Sequence, residues 1–316
     1  MKRYACMLAL ALGGFTAACL GQKVPLDGEF DLAKKSRPET RFFRQETTVF
    51  HFSPDGAPKG SETYRMTLKC IQEEGSAGPD ERCICGRFEI RLGDNPFMEL
   101  PSMRDWTYIF KRTPSGLDEK GQVFGVPHDH FTALKDANGQ NLMPDKAYAV
   151  YNSFIDFHGF CHVFAEPVSG GKGIQDLRRI GDRIIHAAAF TEPPVHVGDM
   201  IKPGSTFKNG EVSLAFKGLS IKQGKPCALV GFDSGESSFK MLLEPMPGMN
   251  MQAVGRSHYF GDIYQDLETG NTLHVDLVEV VATEASLPMQ PNKINDVVER
   301  KLIIQAISPE DYQSGI

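Results

Sequence analysis

Hydrophobic and polar positions alternate in short segments from residue 40 onward, and this pattern predicts β-strands. The segments are rich in aromatic and β-branched side chains, and Gly, Pro, Asn and Asp separate them, as is typical of strands joined by turns. In the first half of the chain the candidate strands are 41–53, 62–72, 82–92 and 106–112. In the second half, 257–267 and 272–282 are predicted to be the arms of one hairpin, with Gly270 in its turn.

One segment, 174–188, has the period of a helix. Its large apolar residues fall within one arc when each residue is turned by ~100° from the last, and charged or polar residues fall opposite. The apolar positions are Ile174, Leu177, Ile180, Ile184, Ile185 and Ala188. We therefore expect an amphipathic helix packed against a sheet, after the glycine-rich stretch 169–173.

These patterns predict a mainly β protein, an antiparallel sandwich or partial barrel in two β-rich parts with one substantial amphipathic helix between them. The expected division is a signal peptide (1–18), a tether (19–38), an N-terminal β-rich part (39–170), and the helix with a C-terminal β-rich part (171–316).

The first residues have the plan of a secretory signal peptide. Lys2 and Arg3 precede an apolar run at 4–15, and small residues follow. The run is about half of the ~20 residues that a membrane-spanning helix needs, so we expect cleavage. Residues 16–19 (Thr-Ala-Ala-Cys) resemble the lipobox of bacterial lipoproteins, which implies lipidation of Cys19 and a membrane anchor. Ordinary cleavage at a small-residue site is the alternative.

The charge of the chain argues against nucleic acid as a partner. Acidic residues number 40 and basic residues 34, giving a formal net charge of -6, and loss of Lys2 and Arg3 with the signal peptide would make it more negative. The densest basic runs, 34–37 and 178–179, are short and are expected to be solvated surface.

Five cysteines follow Cys19, so an oxidising compartment would leave at least one unpaired. Cys70 lies on one side of the turn-rich stretch 73–80, and Cys83 and Cys85 lie on the other. A disulfide from Cys70 to Cys83 or to Cys85 is the preferred interpretation, with the partner undecided. A Cys-x-Cys metal site is the alternative, but the second cysteine pair of structural zinc sites is missing.

Possible metal ligands are densest between residues 128 and 162. If a metal ion binds there, we expect His128, His130 and His158 as ligands, with Asp156 as a fourth ligand or a general base. His158 and His162 would be ~13 Å apart on a straight strand and could chelate together only if Gly159 broke the strand or the segment were helical. Aromatic residues on both sides of these histidines favour a packed core strand instead.

Other motifs carry less chemistry. The methionines at 246–251 are soft ligands suited to copper, but a Pro/Gly turn whose methionines cover the adjacent sheet is the favoured interpretation. The chain has no phosphate-binding loop, no dinucleotide fingerprint in a βαβ unit and no His-Glu-x-x-His.

Three classes of function remain at this point. The first is an envelope binding module for a hydrophobic ligand or a partner protein, suggested by the anchor and the aromatic-rich stretch 124–164. The second is a zinc or copper protein, or a metal-dependent hydrolase. The third is a structural envelope protein without a small ligand.

Overall fold

A computed structural model describes most of the chain. It covers residues 27–35, 39–72, 80–113, 116–165, 171–188, 190–191, 201–246, 248–287 and 292–315. The predicted signal peptide and Cys19 lie outside the described residues. Within these ranges, no helix is both long and apolar enough to cross a bilayer.

The fold is mainly β, as the sequence predicts. The strands are β1 (Glu39–Phe52), β2 (Pro58–Gln72), β3 (Glu81–Leu92), β4 (Met98–Glu99), β5 (Trp106–Phe110), β6 (Arg183–His186), β7 (Phe190–Thr191), β8 (Thr206–Lys208), β9 (Val212–Lys222), β10 (Lys225–Met246), β11 (Met249–Asp266), β12 (Thr272–Ser286) and β13 (Ile294–Ala306). The predicted hairpin of the second half is confirmed as β11 and β12, and Gly270 in its turn has a φ of 71°.

All described strands belong to one open antiparallel sheet of 13 strands. The order along the main path is β4-β3-β2-β1-β13-β12-β11-β10-β8-β7, while β5 pairs with β3 and β9 pairs with β10 and β6. The first and last long strands, β1 and β13, pair from Phe43 with Ala306 to Phe52 with Val297. The two β-rich parts therefore share one continuous sheet.

Among the described residues, the α-helices are α1 (His128–Thr132), α2 (Pro144–His158) and α3 (Pro309–Ser314). A π-helical turn, Gly159–Val163, continues α2. Proline in the first turn and Asp145 beside it favour a helix start at this point. The buried residues of α2 recur at helical spacing and are Ala147, Val150, Tyr151, Ser153, Phe154, Phe157 and His158.

The helix packs on one face of the sheet, which we call the helix-side face. The Phe157 ring meets Phe43 of β1 edge-on at 5.0 Å, and Phe154 stacks on Phe88 of β3 at 6.0 Å. All four rings are almost fully buried in the main core. Full burial of one such side chain stabilises a fold by about 1.5–3 kcal/mol, so this contact ties the helix to the sheet.

The prediction of a helix at 174–188 is wrong, and the helix between the strand groups lies earlier. A 3-10 turn covers Ile174–Asp176, and β6 pairs with residues 212–215 of β9. Gly181 adopts a φ of 98°, which is left-handed backbone that interrupts a helix. Sheet pairing buries Ile184 and leaves Ile185 52% exposed, so strand alternation replaces the helical period.

Part of the predicted tether packs against the folded body. Leu32 is completely buried, and the ring of Phe30 meets Phe216 edge-on at 5.4 Å. The backbone N–H of Phe30 donates to the carbonyl of Arg178. Leu32 therefore belongs to the core and Phe30 packs against it, while Asp27, Glu29 and Asp31 remain exposed.

Candidate functional site

Four side chains form one row across the sheet. Arg41 of β1 pairs directly with Cys70 of β2, Cys70 with Cys83 of β3, and Cys83 with Tyr108 of β5. Directly paired residues of antiparallel strands project from the same face, so the four side chains lie side by side. All four are less than 10% exposed. We call this set the transverse row.

Buried charges surround one end of the transverse row. Arg41 Nη2 lies 2.5 Å from Glu81 Oε2, and Lys34 Nζ lies 2.9 Å from Glu81 Oε1. The side chain of Glu81 has no exposed surface. One carboxylate thus compensates two cations. Burying these charges costs desolvation free energy, and loss of one partner would leave the remaining charge without compensation.

Two histidines of the helix cover the row. His158 Nδ1 lies 3.2 Å from His162 Nδ1, which is possible because this segment is helical and not a strand. Arg41 Nη2 lies 3.2 Å from His162 Nε2, and His158 Nε2 lies 2.5 Å from the Tyr108 hydroxyl. The ring of Phe110 stacks on His158 at 4.1 Å and closes this side of the cluster.

His162 Nε2 faces a donor and an acceptor at nearly equal distances. The guanidinium of Arg41, 3.2 Å away, can only donate, and Glu81 Oε2, 3.3 Å away, can only accept as a carboxylate. The Nδ1 atoms of His162 and His158 share one hydrogen bond, so one of these two atoms carries no proton and its ring is neutral. The two rings thus join the buried charges at Arg41 and Glu81 to the Tyr108 hydroxyl.

Burial favours the neutral form of both histidines. Burial lowers the pKa of His162 to about 4, although Glu81 acts in the opposite direction. Burial and the neighbouring His162 lower the pKa of His158 well below its ordinary value. Burial would raise the pKa of Glu81, but His162, Arg41 and Lys34 hold it far below the ordinary range. At neutral pH, Glu81 is therefore the anion of the cluster.

Three donors in this cluster are close enough for a metal ion. Within the described ranges, Cys70, Glu81 and His162 are the one group of three such residues whose ligand atoms lie within 4.8 Å of one another. The set mixes thiol, carboxylate and imidazole, which zinc accepts. A cation there would lie beside the Arg41 guanidinium and compete with Arg41 and Lys34 for Glu81, so the charges favour the ion pair.

The structure gives separate partners to the four metal ligands predicted from the sequence. His128 packs edge-on to the Tyr151 ring at 5.4 Å, and His130 stacks on Trp106 at 4.4 Å. Because 128–132 is a helix and not a strand, His128 and His130 do not share a sheet face. Asp156 pairs with Arg300 of β13 at 3.1 Å, and His158 is in the buried cluster.

Sequence reasoning missed Lys34, Arg41, Glu81 and Tyr108. Each is a common residue type, and no motif or spacing in the sequence distinguishes its position. Only the register of the strands brings these residues together. One signal was present: the four-residue spacing of His158 and His162 places both on one helix face. The aromatic residues around them masked it, because they fit a strand and a helix equally well.

A second, partly exposed ion-pair group connects the helix to the last strands. Arg300 Nε lies 3.0 Å from Glu279 Oε2, so this guanidinium bridges Glu279 and Asp156. Burial raises the pKa of Asp156 to about 6, and Arg300 opposes that shift. The Tyr259 ring lies 5.2 Å from the Arg300 guanidinium carbon. Asp156 is thus the residue through which α2 makes polar contact with the last strands, and Arg300 and Tyr259 lie at the edge of the sheet surface under the helix.

Beyond Tyr259, the helix-side face becomes apolar and partly exposed. Register places Ser257 opposite Val281, and Val281 opposite Val298, on the face that carries Tyr259. The large apolar side chains of this region are Phe239, Met241, Leu243, Met251, Val281 and Val298, which we call the distal strip. All six are partly exposed, and none belongs to the main core formed by the described residues.

Small residues form the centre of the distal strip. Strand β11 contributes Ala253, Gly255 and Ser257 to this face, between the larger side chains of β10 and β12. A Cβ atom at Gly255 would collide with the ring of Phe239 and with the carbonyl oxygen of Ala282. Glycine is thus needed for the close approach of the Phe239 ring to the strand.

Comparisons with known proteins add no family. No family model matches the chain, and no curated protein matches its sequence. Among solved structures it is similar to "Salmonella typhi OmpF complex with Daunomycin", with 8% identity, 85% of this chain and 98% of that chain covered, and a TM-score of 0.23. It is also similar to "Anion-selective porin from Comamonas acidovorans", with 9% identity, 86% and 100% covered, and a TM-score of 0.18. TM-scores this low carry no argument about fold or function.

Proposed function

We propose that this chain is an exported, lipid-anchored protein of the cell envelope that binds a hydrophobic small molecule on its distal strip. The export and anchoring rest on the signal-peptide pattern and on Cys19. The observation that carries the binding proposal is the set of six partly exposed apolar side chains on the sheet face whose other end is covered by the helix.

The shape of the strip favours an elongated ligand with an acyl chain over a partner protein. From Met251 to Ser257, this surface extends ~20 Å along β11 at ~3.3 Å per residue. Small residues line its centre and larger apolar residues its sides, which suits a narrow chain better than a flat protein surface. Met241 and Met251 have flexible thioether side chains that adapt to such ligands.

A matched pair of substitutions tests the binding proposal. Val281 projects from the helix-side face and Val280, 39% exposed, from the opposite face. In the chain from Gln22 onward, titrated with the fluorescent hydrophobe N-phenyl-1-naphthylamine, we expect Val281→Asp to weaken binding at least ~10-fold, equal to ~1.4 kcal/mol. Val280→Asp should change it less than ~2-fold, because that face does not contact the probe.

Two outcomes contradict this assignment. If the unmodified protein does not bind the probe, the distal strip has no small hydrophobic ligand and a partner protein becomes the better hypothesis. If Val280→Asp and Val281→Asp weaken binding equally, the probe binds apolar surface without regard to the face. Circular dichroism of both variants verifies that each is folded.

A metal-binding envelope protein is the second candidate, on one observation. Cys70, Glu81 and His162 bring three donor atoms within 4.8 Å. Elemental analysis of the protein purified without chelator tests it. Stoichiometric zinc or copper that is lost in His162→Gln would favour this candidate. A metal-free protein would leave Glu81 as the counterion of Arg41 and Lys34.

A further inference from the structure

The two central members of the transverse row are cysteines in direct contact. Cys70 and Cys83 are paired residues of β2 and β3, both are completely buried, and their Sγ atoms lie 3.3 Å apart. Paired antiparallel residues have Cα atoms about 4.5–5.5 Å apart, which is within the range of about 4.4–6.8 Å that disulfides span. A small rotation of the side chains would bring the sulfur atoms to bonding distance.

Cys85 does not compete for this partner. It pairs with Leu68, two residues further along the strands, and its Sγ lies 3.5 Å from the carbonyl oxygen of Arg87. A bulge after Thr67 sets this register, since Leu68 pairs with Cys85 and Thr67 with Arg87. The register thus chooses between the two partners that the sequence leaves open.

We infer that Cys70 and Cys83 form a disulfide bond when the exported chain folds in an oxidising compartment. The bond would join β2 to β3 inside the transverse row. It would hold Glu81, two residues before Cys83, in contact with Arg41 on the far side of β2. The inference relies on the export proposed above for its oxidising environment, and it goes beyond the binding proposal.

The chemistry needs an external disulfide as oxidant. The thiolate of one cysteine attacks a sulfur of that disulfide, forms a mixed disulfide and releases one thiol of the oxidant. The second cysteine, as thiolate, attacks the protein sulfur of the mixed disulfide and releases the other thiol. Two protein thiols have then been oxidised and one disulfide has been reduced to two thiols. Because the helix buries both sulfur atoms, this exchange must precede closure of the row.

Disulfide formation and a metal site at Cys70 exclude each other. A metal ligand must be a thiolate, whereas the disulfide uses the same sulfur atom. The Arg41 guanidinium faces Glu81 and His162 at 2.5 and 3.2 Å, which disfavours a cation and leaves the thiol pair intact. The disulfide predicts two oxidised thiols and no bound metal, whereas the metal site predicts free thiols and a bound ion, so one experiment distinguishes them.

The experiment uses refolding, so that it does not depend on export. The chain from Gln22 onward, with five cysteines, is reduced, unfolded, refolded with a mixture of reduced and oxidised glutathione, alkylated with iodoacetamide under denaturing conditions, and weighed by mass spectrometry. We expect three alkylated cysteines before reduction and five after it, with a peptide that links Cys70 to Cys83. We also expect the oxidised protein to unfold at a higher urea concentration than the reduced one.

Cys85→Ser and Cys83→Ser are the matched variants. Cys85→Ser should keep the linkage and show two alkylated cysteines before reduction. Cys83→Ser should show four and lose the shift in the urea midpoint. Five alkylated cysteines in the unmodified protein, a linkage to Cys85, or a zinc ion retained at Cys70 through refolding would each overturn the inference. Formation of the linkage on refolding, together with five free thiols in the chain isolated from cells, would leave the pairing intact and count against export alone.

Discussion

The helix covers one end of the sheet, on β1, β2, β3 and β5, and charged and polar side chains are buried there. At the far ends of β10 to β13, apolar side chains are partly exposed instead. We call the first region the closed end. Both regions lie on one face of one sheet, so strand structure alone does not explain the contrast. The difference arises from what covers the face, because α2 and its π-turn lie over the closed end and bring His158 and His162 to the charges.

The contrast separates stability from binding. Buried ion pairs are sensitive to the loss of one partner, so the closed end is suited to hold the fold. Partly exposed apolar side chains add less to folding and remain free to contact a ligand, so the distal strip is suited to binding. Substitutions at the two ends should therefore differ in the property that they change.

The largest effect is expected at Glu81. Glu81→Gln removes the only anion that contacts Arg41 and Lys34 among the described ion pairs, and it leaves two buried cations without compensation. We expect the free energy of unfolding to fall by about 3–5 kcal/mol, measured by urea denaturation. Glu236→Gln, in the exposed pair with Arg256, is the control and should change it by less than about 0.5 kcal/mol. Equal effects at both sites would show that the closed end does not depend on its ion pairs.

A smaller effect is expected on the pH dependence of stability. A histidine whose pKa is lowered in the folded state loses stability as pH falls from the unfolded pKa towards the folded one, because the unfolded chain binds the proton more readily. For His162 this window extends from about 6.5 down to about 4. At ~1.4 kcal/mol per unit of pKa, acidification across it should cost about 3 kcal/mol through this residue.

Urea denaturation at a series of pH values measures this loss. His162→Gln should make stability fall less steeply between pH 6.5 and 4. Asp156 acts in the opposite direction, since its raised pKa of about 6 means that acidification relieves a cost of burying its charge. Asp156→Asn should therefore steepen the loss. A slope that His162→Gln leaves unchanged would contradict a buried, neutral His162.

The smallest effect is expected from two glycines. Gly255→Ala adds a methyl group that collides with the Phe239 ring in the distal strip, and we expect a loss of about 1–3 kcal/mol in unfolding free energy. Gly159→Ala is the matched change near the closed end, where the helical backbone has a φ of -56° and nothing lies within 4 Å of the added Cβ. Alanine there should stabilise by about 0.5–1 kcal/mol. Thermal or urea unfolding measures both, and the same sign at the two positions would refute the packing described for Gly255.

The sequence by itself determined the class of fold, because strand alternation and turn residues are local properties. The pairing of β11 with β12 follows from two alternating segments around Gly270, and the structure confirms it. The helix was a harder case, since 174–188 has helical period but contains Gly181, whereas the aromatic residues of α2 fit a strand as well as a helix. Periodicity alone does not decide between them when glycine and burial act against it.

Only the tertiary structure decided which polar residues meet. The transverse row depends on the register of four strands, and a shift by one residue would turn Cys70 and Arg41 to the other face. Glu81 and Lys34 join it from segments far apart in the chain, so no local spacing could reveal them. The sequence narrowed the partners of Cys70 to two, and the bulge after Thr67 selected Cys83, because register is a property of the whole sheet.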